Sequence, residues 1–229
     1  LRPSAERGFA DHVWLKARHT FSFAGYHAPD HMGFRVLRVI NEDVVAPDQG
    51  FGTHPHRDME IFTWILEGAL EHKDSMGNGS VIRPGDAQWM SAGTGIMHSE
   101  FNPQPDASTH LLQIWILPDR SGRTPDWAEK HFPLSERTDR LCLLASPDGS
   151  DGSLQWGQDA RLWASTLRSG QRLVQDLAPG RHGWLQVTGG SLEVNGMRLE
   201  AGDGAAVSDE NRLELEAVDE ADFLLFDLP

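Results

Sequence analysis

The chain has a single cysteine, Cys142, so no disulfide can close within it and a disulfide-stabilised secreted domain is excluded. No window approaches the roughly 18 consecutive apolar residues that a membrane helix needs. Leu1 to Gly8 is polar and charged, without the apolar run of a signal peptide. Basic residues are also scarce: 20 Lys and Arg stand against 34 Asp and Glu, a formal charge of −14. A surface that negative repels phosphate backbones, and no basic run offsets it, so direct nucleic-acid binding is not expected. Gly-rich phosphate loops, serine nucleophile elbows and Cys–His nucleophile pairs are all missing. These absences leave a soluble cytoplasmic protein with no membrane contact as the expectation. Cys142 itself reads as a buried apolar residue.

Turn residues and histidine are plentiful. Segments such as Phe34–Ile40, Glu60–Leu66, Leu111–Leu117 and Phe223–Phe226 are short and rich in β-branched or aromatic residues. Gly, Pro, Asp and Asn bound them, which is how strands and their turns are written. Only the stretch from about Thr124 to Phe132 reads as helical, inside a Pro- and charge-rich linker from about Pro118 to Thr138. The two halves around it resemble each other. Gly68-Ala-Leu-Glu71, Asn78-Gly79 and Pro84-Gly-Asp86 recur in order as Gly190-Ser-Leu-Glu193, Asn195-Gly196 and Ala201-Gly-Asp203, the last two pairs at an offset of 117 residues. A strand, a tight turn at Asn-Gly, a second strand and a Gly-Asp turn into a third explain the repeat. The expected fold is all-β: two β-barrels in tandem with a short helix in the linker, divided into residues 1–125 and 126–229.

The copies differ where chemistry would sit. Among 11 histidines, His54 and His56 form one alternate pair, and His98 stands in the same relation to Glu100. Residues two apart on a strand face the same way, so both pairs can project into one barrel. Three imidazoles and a carboxylate suit iron, nickel, copper, manganese, cobalt or zinc better than calcium or magnesium. Four protein ligands on an ion that accepts six leave room for substrate or water, an arrangement suited to catalysis. Spacing alone leaves Glu60, four residues after His56, as a second candidate for the acidic ligand. In the second half the corresponding positions hold Asp176, Ala178 and Leu215, so that barrel is expected to lack metal ligands and be structural. His12, His19, His27 and His31 are irregularly spaced. His19 reads as a packing or capping residue, with a place near the site as the alternative. Phe51, Met90, Ile96, Met97 and Phe101 flank the ligands and could line a pocket or fill the core.

The sequence resembles the cupin superfamily, and within it the pirin family. His54-x-His56 with Glu60 and Gly68 is similar to the first cupin motif, and His98-x-x-x-Asn102 to the second. The runs His19–Phe23, Arg38–Asn41, Gly50–Glu60, Glu71–Asn78 and Met90–Glu100 are similar to pirin signature segments and span most of residues 1–118. Gly50 lies closer to the first histidine than the general cupin pattern has it, and Gly93-Thr-Gly95 stands where a proline commonly precedes the glycine. The second half resembles the pirin C-terminal domain only in its turns and its ending, Leu224–Leu228. The resemblance implies a jelly-roll bicupin whose acidic ligand is Glu100, with Glu60 an outer or structural group. It also implies one divalent metal, Fe(II) first among the candidates.

Two functional classes follow from the resemblance. Bacterial pirins include quercetinases, which open the central flavonol ring with dioxygen and release carbon monoxide. In such a site the metal would bind the deprotonated 3-hydroxyl of a small aromatic substrate and Glu100 would take the proton. Eukaryotic pirins are described instead as iron-dependent regulators acting through protein partners. The ligand motifs are common to both classes. The enzyme, a quercetin 2,3-dioxygenase-like protein, is the favoured expectation.

Overall fold

The computed structural model describes residues 1–229. Short runs of Val, Ile, Leu, Phe and Trp between turn residues fold as strands throughout, and the chain separates into two compact units. No helix is long and apolar enough to cross a membrane.

The first unit holds Gly8–His131 with Trp156–Gln158. Its barrel consists of β3 (Leu37–Val45), β4 (Gly50–His56), β5 (Glu60–Glu67), β6 (Leu70–Asp74), β7 (Gly79–Ile82), β8 (Asp86–Ser91), β9 (Ile96–Phe101) and β10 (Thr109–Ile116). Two short strands precede it, β1 (Gly8–Asp11) and β2 (Leu15–His19), and β11 (Asp126–His131) follows. One sheet runs β1-β2-β3-β10-β5-β8-β11 and the other β4-β9-β6-β7. All of its strand pairings are antiparallel, and this strand order is that of a jelly roll. Inward-facing Val45, Ile65, Leu70, Ile82 and Leu111 form one core cluster of the barrel.

The second unit gathers Leu1–Arg7, Phe132–Gln155 and Asp159–Pro229. After β12 (Cys142–Ser146) and β13 (Leu154–Gln155) come β14 (Arg161–Leu167), β15 (Arg172–Asp176), β16 (His182–Gly189) and β17 (Ser191–Val194). The strands β18 (Met197–Glu200), β19 (Gly204–Val207), β20 (Arg212–Ala217) and β21 (Ala221–Leu228) complete it. Its sheets run β13-β12-β14-β21-β16-β19 and β15-β20-β17-β18. The inner orders β14-β21-β16-β19 and β15-β20-β17-β18 repeat those of the first barrel strand for strand, so the motif repeat marks a repeated fold. Leu192, Leu199, Leu213, Leu215, Phe223 and Leu225 fill its interior.

Several local expectations change. Asp126–His131, within the stretch read as helical, is strand β11, because the free edge of β8 offers it a ladder from Asp126↔Ser91 to His131↔Asp86. The short helix is α1 (Leu134–Arg137), starting after Pro133. Both β11 and the first seven residues thus lie across the division expected at residues 125 and 126. The Asn-Gly turn is real in the second barrel, where Asn195 and Gly196 both take positive φ between paired Val194 and Met197. In the first barrel the turn is longer, with Asp74 Oδ1 accepting from the backbone N–H groups of Met76 and Asn78. Cys142 is half-buried rather than buried.

Candidate metal centre

Gly50-Phe-Gly-Thr53 is too glycine-rich for a regular ladder, and β4 bulges there. Phe51 stands opposite Glu100 on β9 and His54 opposite His98, so three steps on β4 match two on β9. In a regular strand residues three apart face opposite ways. The extra residue lets Phe51, His54 and His56 share the face that carries Glu100, and all four line one cavity. Gly50 permits the close approach. A Cβ there would lie 2.2 Å from the Glu100 carbonyl oxygen and 2.5 Å from Phe101 Cα.

The three histidines converge. The ring centroids of His54 and His98 are 4.5 Å apart, and that of His56 is 4.8 Å from each. His54 Nδ1 donates to the Gly52 carbonyl at 2.8 Å, which leaves its Nε2 with a lone pair. That Nε2 faces His98 Nε2 at 3.1 Å. Two imidazole nitrogens bound at about 2.1 Å to one ion at right angles stand about 3 Å apart, so the pair fits a shared ion. Burial, then the neighbouring histidines, hold His98 down to about 3 and His56 to about 4. Both are therefore neutral at physiological pH, the form in which an imidazole can bind a metal.

Glu100 is buried on the same strand. Gln113 Nε2 donates to its Oε2 at 2.7 Å, while Oε1 is buried without a hydrogen-bond partner. His98 Nδ1 is likewise buried and unpartnered. Burial first, and then the Asp43 carboxylate, push Glu100 up to about 7, against the pull of Gln113. A carboxylate oxygen of Glu100 clusters with nitrogens of His98 and His72, whereas His54, His56 and His98 form the other cluster, so His98 joins the two. These donors, mixed nitrogen and oxygen with an unsatisfied carboxylate oxygen, fit a divalent transition metal.

Glu60, the rival acidic residue, is fully engaged elsewhere. Its Oε2 accepts from Trp89 Nε1 at 2.7 Å and Gly157 N at 3.0 Å, and its Oε1 from Ser91 Oγ at 2.7 Å. His72 is the residue that sequence reasoning missed. It lies opposite Glu100 on β6, fully buried, with Nε2 3.3 Å from Asp74 Oδ2 and Nδ1 accepting from Gln88 Nε2 at 3.3 Å. Trp127 stacks on its ring. The alternation Leu70, His72, Asp74 was the signal that could have found it.

A cavity of about 90 Å³ opens on these side chains, walled by Phe23, Phe51 and Trp115 and by polar His19, Asn41 and Asp43. His19, expected to pack or cap, faces this cavity, its Nδ1 2.9 Å from Asn41 Oδ1. His12, His27 and His31 join neither histidine cluster. Of the flanking apolar residues only Phe51 lines the cavity. Met90 and Ile96 sit in a buried cluster with Ile61, and Met97 and Phe101 face outward, 40% and 36% exposed.

Two jelly rolls of one topology, one of them with clustered histidines beneath an aromatic-walled cavity, define a bicupin. The pirin family model matches residues 2–116, and the model of the quercetinase C-terminal cupin domain matches residues 143–228. The chain is 47% identical over 229 residues to quercetin 2,3-dioxygenase of Escherichia coli K12, covering 100% of this chain and 98% of that protein. The crystal structure of YhhW from Escherichia coli superimposes with a TM-score of 0.97 at 47% identity, covering 100% of this chain and 96% of that one. The bacterial pirin YhhW in complex with nickel(II) gives a TM-score of 0.96 at 46% identity, covering 100% and 97%. The chain belongs to the pirin family.

Proposed function

We propose that this chain is a metal-dependent dioxygenase that opens the flavonol ring of quercetin-type substrates with O2. The observation that carries this reading is the convergence of His54, His56 and His98, two of them with Nε2 atoms 3.1 Å apart, at an aromatic-walled cavity. The relative that bears the name quercetin 2,3-dioxygenase supports it. His54, His56, His98 and Glu100 would hold one divalent metal, with Fe(II) the ion proposed for the cell. Nickel, copper, manganese, cobalt and zinc suit the same donors, and the nickel complex of a relative agrees with that breadth. The working place proposed is the cytoplasm. The first barrel carries the chemistry, and the second is structural.

A bound metal supplies Lewis acidity toward a coordinated hydroxyl. The protein's own residues do the rest. The Gly52 carbonyl fixes the His54 ring, and Gln113 fixes Glu100 by its Oε2. The Glu100 carboxylate, whose Oε1 is buried without a hydrogen-bond partner, would take the proton of a flavonol hydroxyl. Phe23, Phe51 and Trp115 bound the space beside it and exclude water from a flat ring.

The test is incubation of iron-loaded protein with quercetin in air, read as loss of the flavonol absorbance. Turnover is expected, and Glu100→Gln should lower it by at least a hundredfold. No turnover with any of the metals named, together with specific capture of a protein partner, would replace the enzyme with an iron-binding regulator.

A further inference from the structure

Strand β3 carries a row of inward residues, Val39, Asn41, Asp43 and Val45, all at most 4% exposed. Valine at both ends is what a barrel interior calls for; asparagine and aspartate between them are not. Burying a carboxylate is costly without a task or partners that offset it. Asp43 lines the same 90 Å³ cavity as Glu100, and no lysine or arginine lines it with them. Neither the proposed ligands nor the proton transfer at Glu100 uses Asp43.

The rest of the cavity shows what Asp43 faces. Phe23 and Trp115 meet edge to face, centroids 5.3 Å apart at 82°, and Phe51 lines the same cavity. The volume of about 90 Å³ is well below the roughly 300–1,000 Å³ that encloses a drug-sized ligand. It takes one ring of a flavonol, not three. The His19–Asn41 hydrogen bond at 2.9 Å stiffens the polar side of that slot. Asp43 has partners within the protein, and a carboxylate has room for about four hydrogen bonds.

We propose that Asp43 is a specificity-determining residue: it accepts a hydroxyl of one uncharged, hydroxylated aromatic ring seated in this cavity and repels a ring that bears a carboxylate. This rests on the reading of the site as one for phenolic substrates and adds which ring chemistry it admits. A ring carboxylate beside Asp43 would be a like-charge contact in a poorly hydrated slot, with no lysine or arginine on the wall to neutralise it.

Two probes of similar size separate the possibilities, 1,2,4-trihydroxybenzene and 3,4-dihydroxybenzoate. They share a catechol edge for the metal and differ in the remote group. Calorimetric titration of metal-loaded protein under argon should show the triol binding at least tenfold tighter. Asp43→Asn should shrink that preference at least tenfold while leaving the metal content unchanged, and Asp43→Ser should move it the same way. A preference identical in wild type and either folded variant overturns the proposal. Should neither variant fold, the wild type decides, and equal affinity for the two probes overturns it. Because binding is read without turnover, a protein that discriminates the probes yet never consumes quercetin would sink the dioxygenase reading and leave this one standing.

Discussion

At pH 7 His56 and His98 carry no charge, because burial and neighbouring imidazoles hold them near 4 and 3. They need lose no proton to bind a metal, so they set no pH limit above about 4. Glu100 does, since its carboxyl stays protonated up to about 7 in the metal-free protein. Only the ionised carboxylate can bind a metal, so uptake through Glu100 as proposed must expel that proton. Apparent affinity should therefore fall as pH drops below about 7, approaching tenfold per unit, and level off above it. Titrations in buffers of differing ionisation enthalpy should show about one proton released at pH 6 and far less at pH 8. A flat affinity between pH 5.5 and 7 would remove Glu100 from the ligand set. His56→Ala and His98→Ala should each reduce bound metal from about one per chain to a small fraction, read by elemental analysis. Unchanged metal content in both would remove the site.

At the scale of elements, the site depends on how β4 lies on β9. The bulge after Phe51 turns His54 to the face of His98, and Gly50 lets the two backbones close at Glu100. Gly50→Ala should push β4 away and cost metal affinity at least tenfold, although residue 50 carries no ligand. Competition with a chromophoric chelator measures this, and near-native affinity would show the close approach to be dispensable. The Asp74 turn belongs to the same sheet. Its carboxylate satisfies two backbone N–H groups and lies 3.3 Å from His72. Asp74→Ala should destabilise the first barrel by about 1–3 kcal/mol, the cost of leaving such donors unmade. Strand β11 makes a related point. Its composition reads as helix, and the open edge of β8 outweighs that propensity.

For the whole molecule, two cores fold the two halves, and only the first is proposed to hold metal. Leu215, at the position matching the His98 region, is 1% exposed in the second core. Leu215→Ala should cost about 2–5 kcal/mol by cavity formation and leave metal content unchanged. Metal at a hundredfold its Kd should add about 2.7 kcal/mol to the first barrel, raising its unfolding temperature in calorimetry. Equal stabilisation of both barrels would mean a site in the second as well. Much of this was written in the sequence. Period-two segments, turn pairs at a constant offset and the His54-x-His56 and His98-x-Glu100 spacings specified two like barrels and the three clustered histidines, because side-chain alternation and turn geometry are local properties of the chain. Other features required the fold. The engagement of Glu60 with Trp89, Ser91 and Gly157, the approach of His72, and the gathering of His19 and Asp43 around one cavity depend on strands far apart in sequence. Which of two carboxylates is left unsatisfied beside the imidazoles is set by what packs against each. That is a tertiary quantity, and residue spacing does not carry it.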